Sequence, residues 1–342
     1  MKLAISGQLL LTGFVTLANV GCIQLKRQQA STASKKSDKE IQVNTPTDDE
    51  KEKIARGLAY PYERLPYSFL LVGSETYQMT KFSSESLAES VIIDHDTETK
   101  VGDFLAKKGL PSASTAHRTA MIGYGSNAAP SALVSKFSLP KYAKTAVFPV
   151  IKATITDFDV VYSAAVGYYG TLQAALAYSP GSKVEVFITY LDADELKRMH
   201  DSEGVGKYYD VGTLRKSPGA KDLIVNEFGG HMDSVRLNSD LSGAYNYNGK
   251  AVAFKKVKGT HVLPTAEHPE VIQNILSKVA GTLVEHLSIE DYILKNLRWD
   301  DTAKEMSRIV RASCIPIELP GYDVQEGALP ETEVCGKGRT QP

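Results

Sequence analysis

Ala120-Met-Ile-Gly-Tyr-Gly-Ser-Asn-Ala-Ala-Pro130 is a short apolar run that ends in two glycines, a hydroxyl and an amide. It leads into Ser131-Ala-Leu-Val-Ser-Lys-Phe137, which has a helical pattern. The stretch predicts a strand that enters a tight loop and then opens a helix. Glycines let a backbone turn sharply and approach a ligand, while Ser126 and Asn127 add short polar side chains. Backbone N–H groups at a helix start attract a carboxylate or an oxyanion. The loop therefore predicts an anion cradle, and several protein classes use one.

Three of those classes lack their partner residues. Gly123-x-Gly125-x-x-Ala128 fits a degenerate dinucleotide fingerprint, but that pattern needs an acid about twenty residues on, ending a second strand. The chain has Val147-Phe-Pro-Val-Ile151 there. No Gly-Lys-Ser/Thr ending supports a phosphate-binding loop. A nucleophile elbow needs glycine two residues either side of its serine, and Ser126 has Tyr124 and Ala128.

The 342 residues suffice for a sizeable core, and 42% hydrophobic content is ordinary for a globular chain. With 39 basic and 40 acidic residues the net charge is −1, and no basic block is dense enough for nucleic acid. Residues 1–22 differ from the rest. The apolar run Leu9 to Val20 is too short to span a bilayer and reads as a signal-peptide core. Gly21-Cys22 at its end resembles a bacterial lipobox, with Asn19 where that pattern usually has leucine. That resemblance implies lipidation of Cys22 and an exported chain, periplasmic or anchored in the envelope membrane through the N-terminal lipid only. Simple removal of the signal is the competing reading. The two remaining cysteines, Cys314 and Cys335, form an even set, which predicts a disulfide in an exported protein. Closing such a loop contributes about 3 kcal/mol by the chain-entropy estimate.

The chain divides by composition. Residues 23–57 are rich in Lys, Gln, Ser, Thr, Asp and Glu and read as a disordered tether. Residues 58–118 read as an N-terminal extension, with a strand at Tyr67 to Val72 and a helix at Val101 to Lys108. Residues 119–260 form the expected core. Its β-like runs are Ala146 to Ile155, Val160 to Ser163, Leu172 to Tyr178 and Lys183 to Leu191. A helix N-capped by Asp192 follows, with Leu196 and Met199 inward, and then short strands at Tyr208 to Leu214, Asp222 to Val225, Ser234 to Leu237 and Ala251 to Val257. Residues 261–342 hold helical patterns at His268 to Ala280 and Ile289 to Ala312, and the possible disulfide loop. Strands crowd the middle and helices the end, an α+β order.

Four elements then share an order with one family. Tyr124-Gly-Ser-Asn127 resembles the signature loop of the γ-glutamylcyclotransferase-like superfamily. Leu172-Gln-Ala-Ala-Leu-Ala-Tyr-Ser-Pro-Gly181 resembles its Ser-Pro-Gly segment, and Lys183-Val-Glu-Val-Phe-Ile188 resembles the central strand after it. Leu196-Lys-Arg-Met-His-Asp-Ser-Glu-Gly-Val205 resembles its helix ending in Glu-Gly. With Asp159-Val-Val-Tyr-Ser-Ala164 and Tyr169-Gly170, the likeness is to an uncharacterised bacterial branch, over roughly residues 119–257.

The resemblance implies a mixed, barrel-like β-sheet with flanking helices. It implies that Glu203 is a general acid/base and that Tyr124, Gly125, Ser126 and Asn127 bind the substrate. A tyrosine after the Glu-Gly pair lines such sites; Tyr208 and Tyr209 both qualify by spacing, with Tyr209 slightly preferred. The implied reaction is cyclisation of a γ-glutamyl amine or peptide to 5-oxoproline and a free amine, without metal or cofactor. Read apart from the resemblance, Glu203 is an acid at a helix C-terminus, where the dipole disfavours its charge. His200 and Glu203 share a helix face but lack companion ligands, and His231 is undistinguished, so neither predicts a metal. Two other functions compete: a non-catalytic envelope lipoprotein binding a peptide or amino-acid-like ligand in the same pocket, and an enzyme cleaving γ-glutamyl or isopeptide links in cell-wall fragments.

Overall fold

Thr47 and Glu50 start the first regular element, α1 (Asp48–Ala59), with a reciprocal cap. The Thr47 hydroxyl accepts from the Glu50 N–H at 3.2 Å, and the Glu50 carboxylate accepts from the Thr47 N–H at 2.8 Å. Lys51 and Lys53 pair with Asp48 and Asp49 one turn back, and Ile54 and Gly57 are buried. The computed structural model describes residues 45–110, 117–206, 208–240, 242–279, 282, 284–327 and 335. The signal segment with Cys22, and the tether as far as residue 44, lie outside them. The tether expected to reach residue 57 is therefore helical from Asp48. Its stability comes from capping and from Arg298, which grips Glu50 at 2.7 and 2.9 Å, and not from an apolar stripe visible in sequence.

Next, β1 (Phe69–Val72), β2 (Glu75–Lys81), β3 (Val91–Asp94) and β4 (Thr97–Lys100) form an antiparallel meander. Helix α2 (Val101–Lys107) covers it with Val101, Phe104 and Leu105 buried, the face expected from their spacing. Then come β5 (Thr119–Gly123), α3 (Pro130–Lys136), β6 (Val147–Val166), β7 (Leu172–Leu191) and α4 (Ala193–Glu203). Short strands follow: β8 (Asp210–Arg215), β9 (Ile224–Asn226), β10 (His231–Met232), β11 (Ser234–Ser239), β12 (Ala253–Phe254), β13 (Gly259–Thr260) and β14 (Thr265–Ala266). The chain ends with α5 (His268–Leu276), α6 (Ile289–Arg298), α7 (Asp300–Arg311) and β15 (Tyr322–Glu326).

The result is an α+β fold. Its sheet runs in the order β15-β8-β11-β5-β7-β6-β1-β2-β3-β4, and the barrel-like form expected for it does not close on itself. Only β11 and β5 run parallel along that path. The four β-like runs between residues 146 and 191 are two strands of 20 residues, not four short ones. Ser179-Pro-Gly-Ser182 is the turn-like signal that suggested a break, yet it forms a bulge. The register passes from Thr156↔Lys183 to Phe158↔Tyr178, so four residues of β7 face Asp157 alone. Asp157 takes a φ of 64° there, and its carboxylate accepts from the Gly181 N–H at 2.8 Å. The helix expected over 289–312 also divides, at Trp299, where the backbone is extended (φ −138°, ψ 103°). Asp301 just beyond it favours the start of a second helix. The Cys314–Cys335 disulfide is present.

One core cluster lies under β5, α3 and α4: Phe69, Met121, Leu133, Phe137, Phe148, Phe187 and Met199, with Leu196 packed against it. Another contact ties α1 to the far end of the sheet. His268, first residue of α5, is buried against the rings of Tyr60, Tyr162 and Phe254. Its Nδ1 lies 3.3 Å from the Tyr60 carbonyl. Burial pulls the imidazole from 6.5 down to about 4. Between those values the unfolded chain binds the extra proton, so stability is full above pH 6.5 and falls as pH drops toward 4. A loss of about 3 kcal/mol is expected from this group across that window. Urea unfolding of wild type and His268→Gln from pH 7 to pH 4 checks it; the variant should lose most of the slope, and parallel curves would refute the assignment.

Candidate functional site

The strand-to-loop reading of residues 120–130 matches the backbone, with one change at the helix. β5 ends at Gly123, a single 3-10 turn spans Ser126–Ala128, and α3 starts only at Pro130. The Ala128 and Ala129 N–H groups turn back to the Gly125 and Ser126 carbonyls at 3.1 and 2.9 Å. Both glycines answer to close approach. A side chain on Gly123 would begin 2.8 Å from the Asn127 carbonyl oxygen, and one on Gly125 would begin 2.9 Å from the Ala174 methyl and 3.3 Å from the Tyr60 hydroxyl.

Glu203 comes to this loop from α4. Asp192 and Glu195 cap the helix start reciprocally, and Gly204 closes it in the left-handed region at φ 66°. That leaves Glu203 as the last helical residue. Its Oε1 accepts from Asn127 Nδ2 at 2.9 Å, across 76 residues of chain. The same oxygen is in contact with the Lys136 ammonium from the end of α3. The Arg198 guanidinium donates to the Lys136 carbonyl at 2.7 Å, so the C-terminal ends of α3 and α4 are tied together beside the loop. Burial, with the charges of Arg198 and Arg56, pulls the Lys136 ammonium down to about 7. The Glu203 carboxylate pulls in the opposite direction.

Tyr124, Gly125, Ser126, Asn127, Glu203 and Tyr209 line one cavity of about 30 Å³, with Tyr60, Ile122, Ala174 and Asn238. Tyr208, the other tyrosine that fits the spacing, is 55% exposed and lies outside it, its ring packed on Gly204. Tyr209 is buried, and its hydroxyl donates to Gln173 Oε1 at 3.1 Å. The Tyr124 hydroxyl donates to the Asn238 carbonyl at 2.7 Å. Burial, then the charge of Asp240, pushes both phenols well above their usual value, so they are neutral donors at the wall. The N-terminal segment closes one side: the Tyr60 hydroxyl accepts from the Ala174 N–H at 2.8 Å, and Arg64 donates to the Tyr124 and Glu185 carbonyls. A space of this size holds a water molecule or two.

Three buried polar atoms around the cavity lack a hydrogen-bond partner: Asn127 Oδ1, and both Nδ2 and Oδ1 of Asn238. Each costs about 1–3 kcal/mol if nothing pairs with it. Lys136, Tyr60 and Asn238 were not foreseen from sequence. Lys136 ends α3 and Asn238 lies near the end of β11, and no motif surrounds either. Among the described residues no group of three His, Cys, Asp or Glu is placed to hold a metal. A larger open groove of about 400 Å³, lined by Lys152, Lys183, Glu185, Glu227 and Lys258, contains none of the predicted site residues.

No family model and no curated protein matches the chain. Among solved structures it is similar to one described as "Gamma-glutamyl cyclotransferase", at 14% identity and a TM-score of 0.29 over 57% of this chain and 99% of that one. It is similar also to an ensemble refinement of the crystal structure of uncharacterized protein loc79017 from Homo sapiens. That match has 14% identity and a TM-score of 0.27, over 52% of this chain and 98% of that one.

The Lys136–Glu203 contact makes a checkable energetic statement. Both side chains are largely buried, at 17% and 12% exposure. Lys136→Met should therefore cost about 3 kcal/mol at pH 7 by stranding the carboxylate, and adding Glu203→Gln should restore most of that loss. Chemical denaturation of the two singles and the double measures it; purely additive losses would show that the two groups do not interact.

Proposed function

We propose that this chain cyclises a γ-glutamyl amine or peptide, releasing 5-oxoproline and a free amine, with Glu203 as the acid/base. One observation carries the reading. The Glu203 carboxylate meets the Asn127 side chain inside a cavity lined by the Tyr124 to Asn127 loop and Tyr209. In that reaction the nucleophile is the substrate's own α-amine, which attacks its γ-carbonyl. Glu203 takes the proton from the amine and returns one to the departing amine. The loop stabilises the oxyanion that forms between those steps. Ring closure is intramolecular, so holding the substrate folded supplies much of the rate. The protein needs no nucleophile of its own; what it brings to the site is the Glu203 carboxylate, paired with Lys136.

A binding-only role is favoured by one observation, the Lys136 contact, because a neighbouring ammonium weakens a carboxylate as a base. Export and lipid attachment at Cys22 belong to the same proposal. They would place the site in the cell envelope, where γ-glutamyl or isopeptide links of wall fragments are the accessible substrates.

The test is to incubate the purified chain and its Glu203→Gln variant with a panel of γ-glutamyl dipeptides and quantify 5-oxoproline. Wild type should release it, and the variant should be slower by about 10²–10⁴-fold, the usual worth of a positioned acid/base. Equal rates from both proteins would remove Glu203 from the reaction. Binding of a dipeptide without product would establish the binding-only role.

A further inference from the structure

Asn238 is 5% exposed, lines the cavity that contains Glu203, and has both ends of its side-chain amide unpartnered. Its backbone is held firmly. β11 pairs Asn238 with Val211 of β8, and the Asn238 carbonyl accepts from the Tyr124 hydroxyl at 2.7 Å. Asn127 adds a second unpartnered acceptor, Oδ1, while its Nδ2 is engaged by Glu203. Two acceptors and one donor without partners thus belong to residues that line the cavity together with Glu203.

We propose that Asn238 is a substrate-positioning residue that reads the free α-amino-acid head of the ligand. Its Nδ2 donates to the α-carboxylate. Its Oδ1 and Asn127 Oδ1 accept from the α-ammonium, whose third N–H faces Glu203. The donor and acceptor count is satisfied by an unblocked α-ammonium next to an α-carboxylate. An N-acylated head lacks the three N–H groups, and an α-amide lacks the anionic acceptor. The proposal takes its site from the γ-glutamyl reading but specifies the ligand class whether or not cyclisation follows.

The test uses ligands with no amine to release from the γ-carbon: L-glutamate, N-acetyl-L-glutamate and isoglutamine, titrated calorimetrically into the whole chain. Wild type should bind L-glutamate at least about tenfold tighter than either blocked analogue, because a site built for polar groups rejects a ligand that leaves them unpaired. Asn238→Ala and Asn238→Leu should bind all three within about threefold of one another, at the level of the blocked analogues. Without ligand, Asn238→Leu should melt no lower than wild type, since it removes two unpaired polar atoms. With a dipeptide that is turned over, Asn238→Ala should raise KM about tenfold and leave kcat within about threefold. Variants that still discriminate, a wild type that never did, or an Asn238→Leu protein that melts well below wild type would each overturn the proposal, the last by showing that the amide is structural. Discrimination by wild type without any 5-oxoproline would remove the cyclisation reading and leave Asn238 in place. Product formed by Asn238→Ala at unchanged KM would do the reverse.

Discussion

The buried pair Arg118–Glu195 sets the geometry on which the site depends. Glu195 is nearly inaccessible, and burial raises its carboxyl while Arg118 lowers it. Its Oε2 accepts from Arg118 Nη1 at 2.8 Å and the Asp192 N–H at 2.9 Å; its Oε1 accepts from the Val147 N–H at 3.1 Å. Arg118 also donates to the Tyr190 carbonyl at 3.1 Å. One carboxylate therefore joins the residue before β5, the start of β6, the end of β7 and the start of α4. A buried ion pair roughly breaks even against its desolvation, so what this one contributes is position and not net stability. From that point β5 leads into the loop, and the eleven residues of α4 carry Glu203 about 16 Å along the helix axis to meet it.

The bend in β6 and β7 is the second constraint. Past Asp157 the two long strands leave the part of the sheet next to β5 and form the wall on which β12 and α7 pack. Here too a buried carboxylate fixes the shape. Asp159 lies 2.8 Å from His261 Nδ1, and His261 Nε2 lies 2.8 Å from the Val257 carbonyl. The two ring nitrogens thus lie against two different acceptors, the Asp159 carboxylate and the Val257 carbonyl. Ser182, in the bulge, donates to Asp159 and accepts from the Val262 N–H. The bulge, the bend and the segment after β13 are thus joined through one polar knot.

What could be read from sequence was local. The loop after β5 and the helix from Asp192 to Gly204 were legible because glycines, caps and spacing act within a few residues of themselves. Their meeting was inferred only through resemblance, since nothing local in Asn127 or Glu203 specifies a contact 76 residues away. Ser179-Pro-Gly-Ser182 carries real turn chemistry, yet a bulge uses the same residues as a chain reversal, and pairing along β6 decided between them. Helix α1 escaped notice despite its local Thr47–Glu50 capping box, because it has little apolar stripe and the Arg298 that grips Glu50 lies more than two hundred residues on. Lys136, Tyr60 and Asn238 share that difficulty: each enters the site by long-range packing, and none sits in a motif.

Lys136 shapes what Glu203 can do. Its ammonium sits against Glu203 Oε1, the atom that also holds Asn127. A substrate α-ammonium would need that same atom in the proposed reaction. Two cations on one carboxylate oxygen repel each other, so in that reaction the lysine would have to give way to the substrate. Burial already works against the lysine charge, which lowers the cost of exchanging it for a ligand cation. In the proposed reaction that exchange would leave Glu203 facing the substrate amine in place of the lysine.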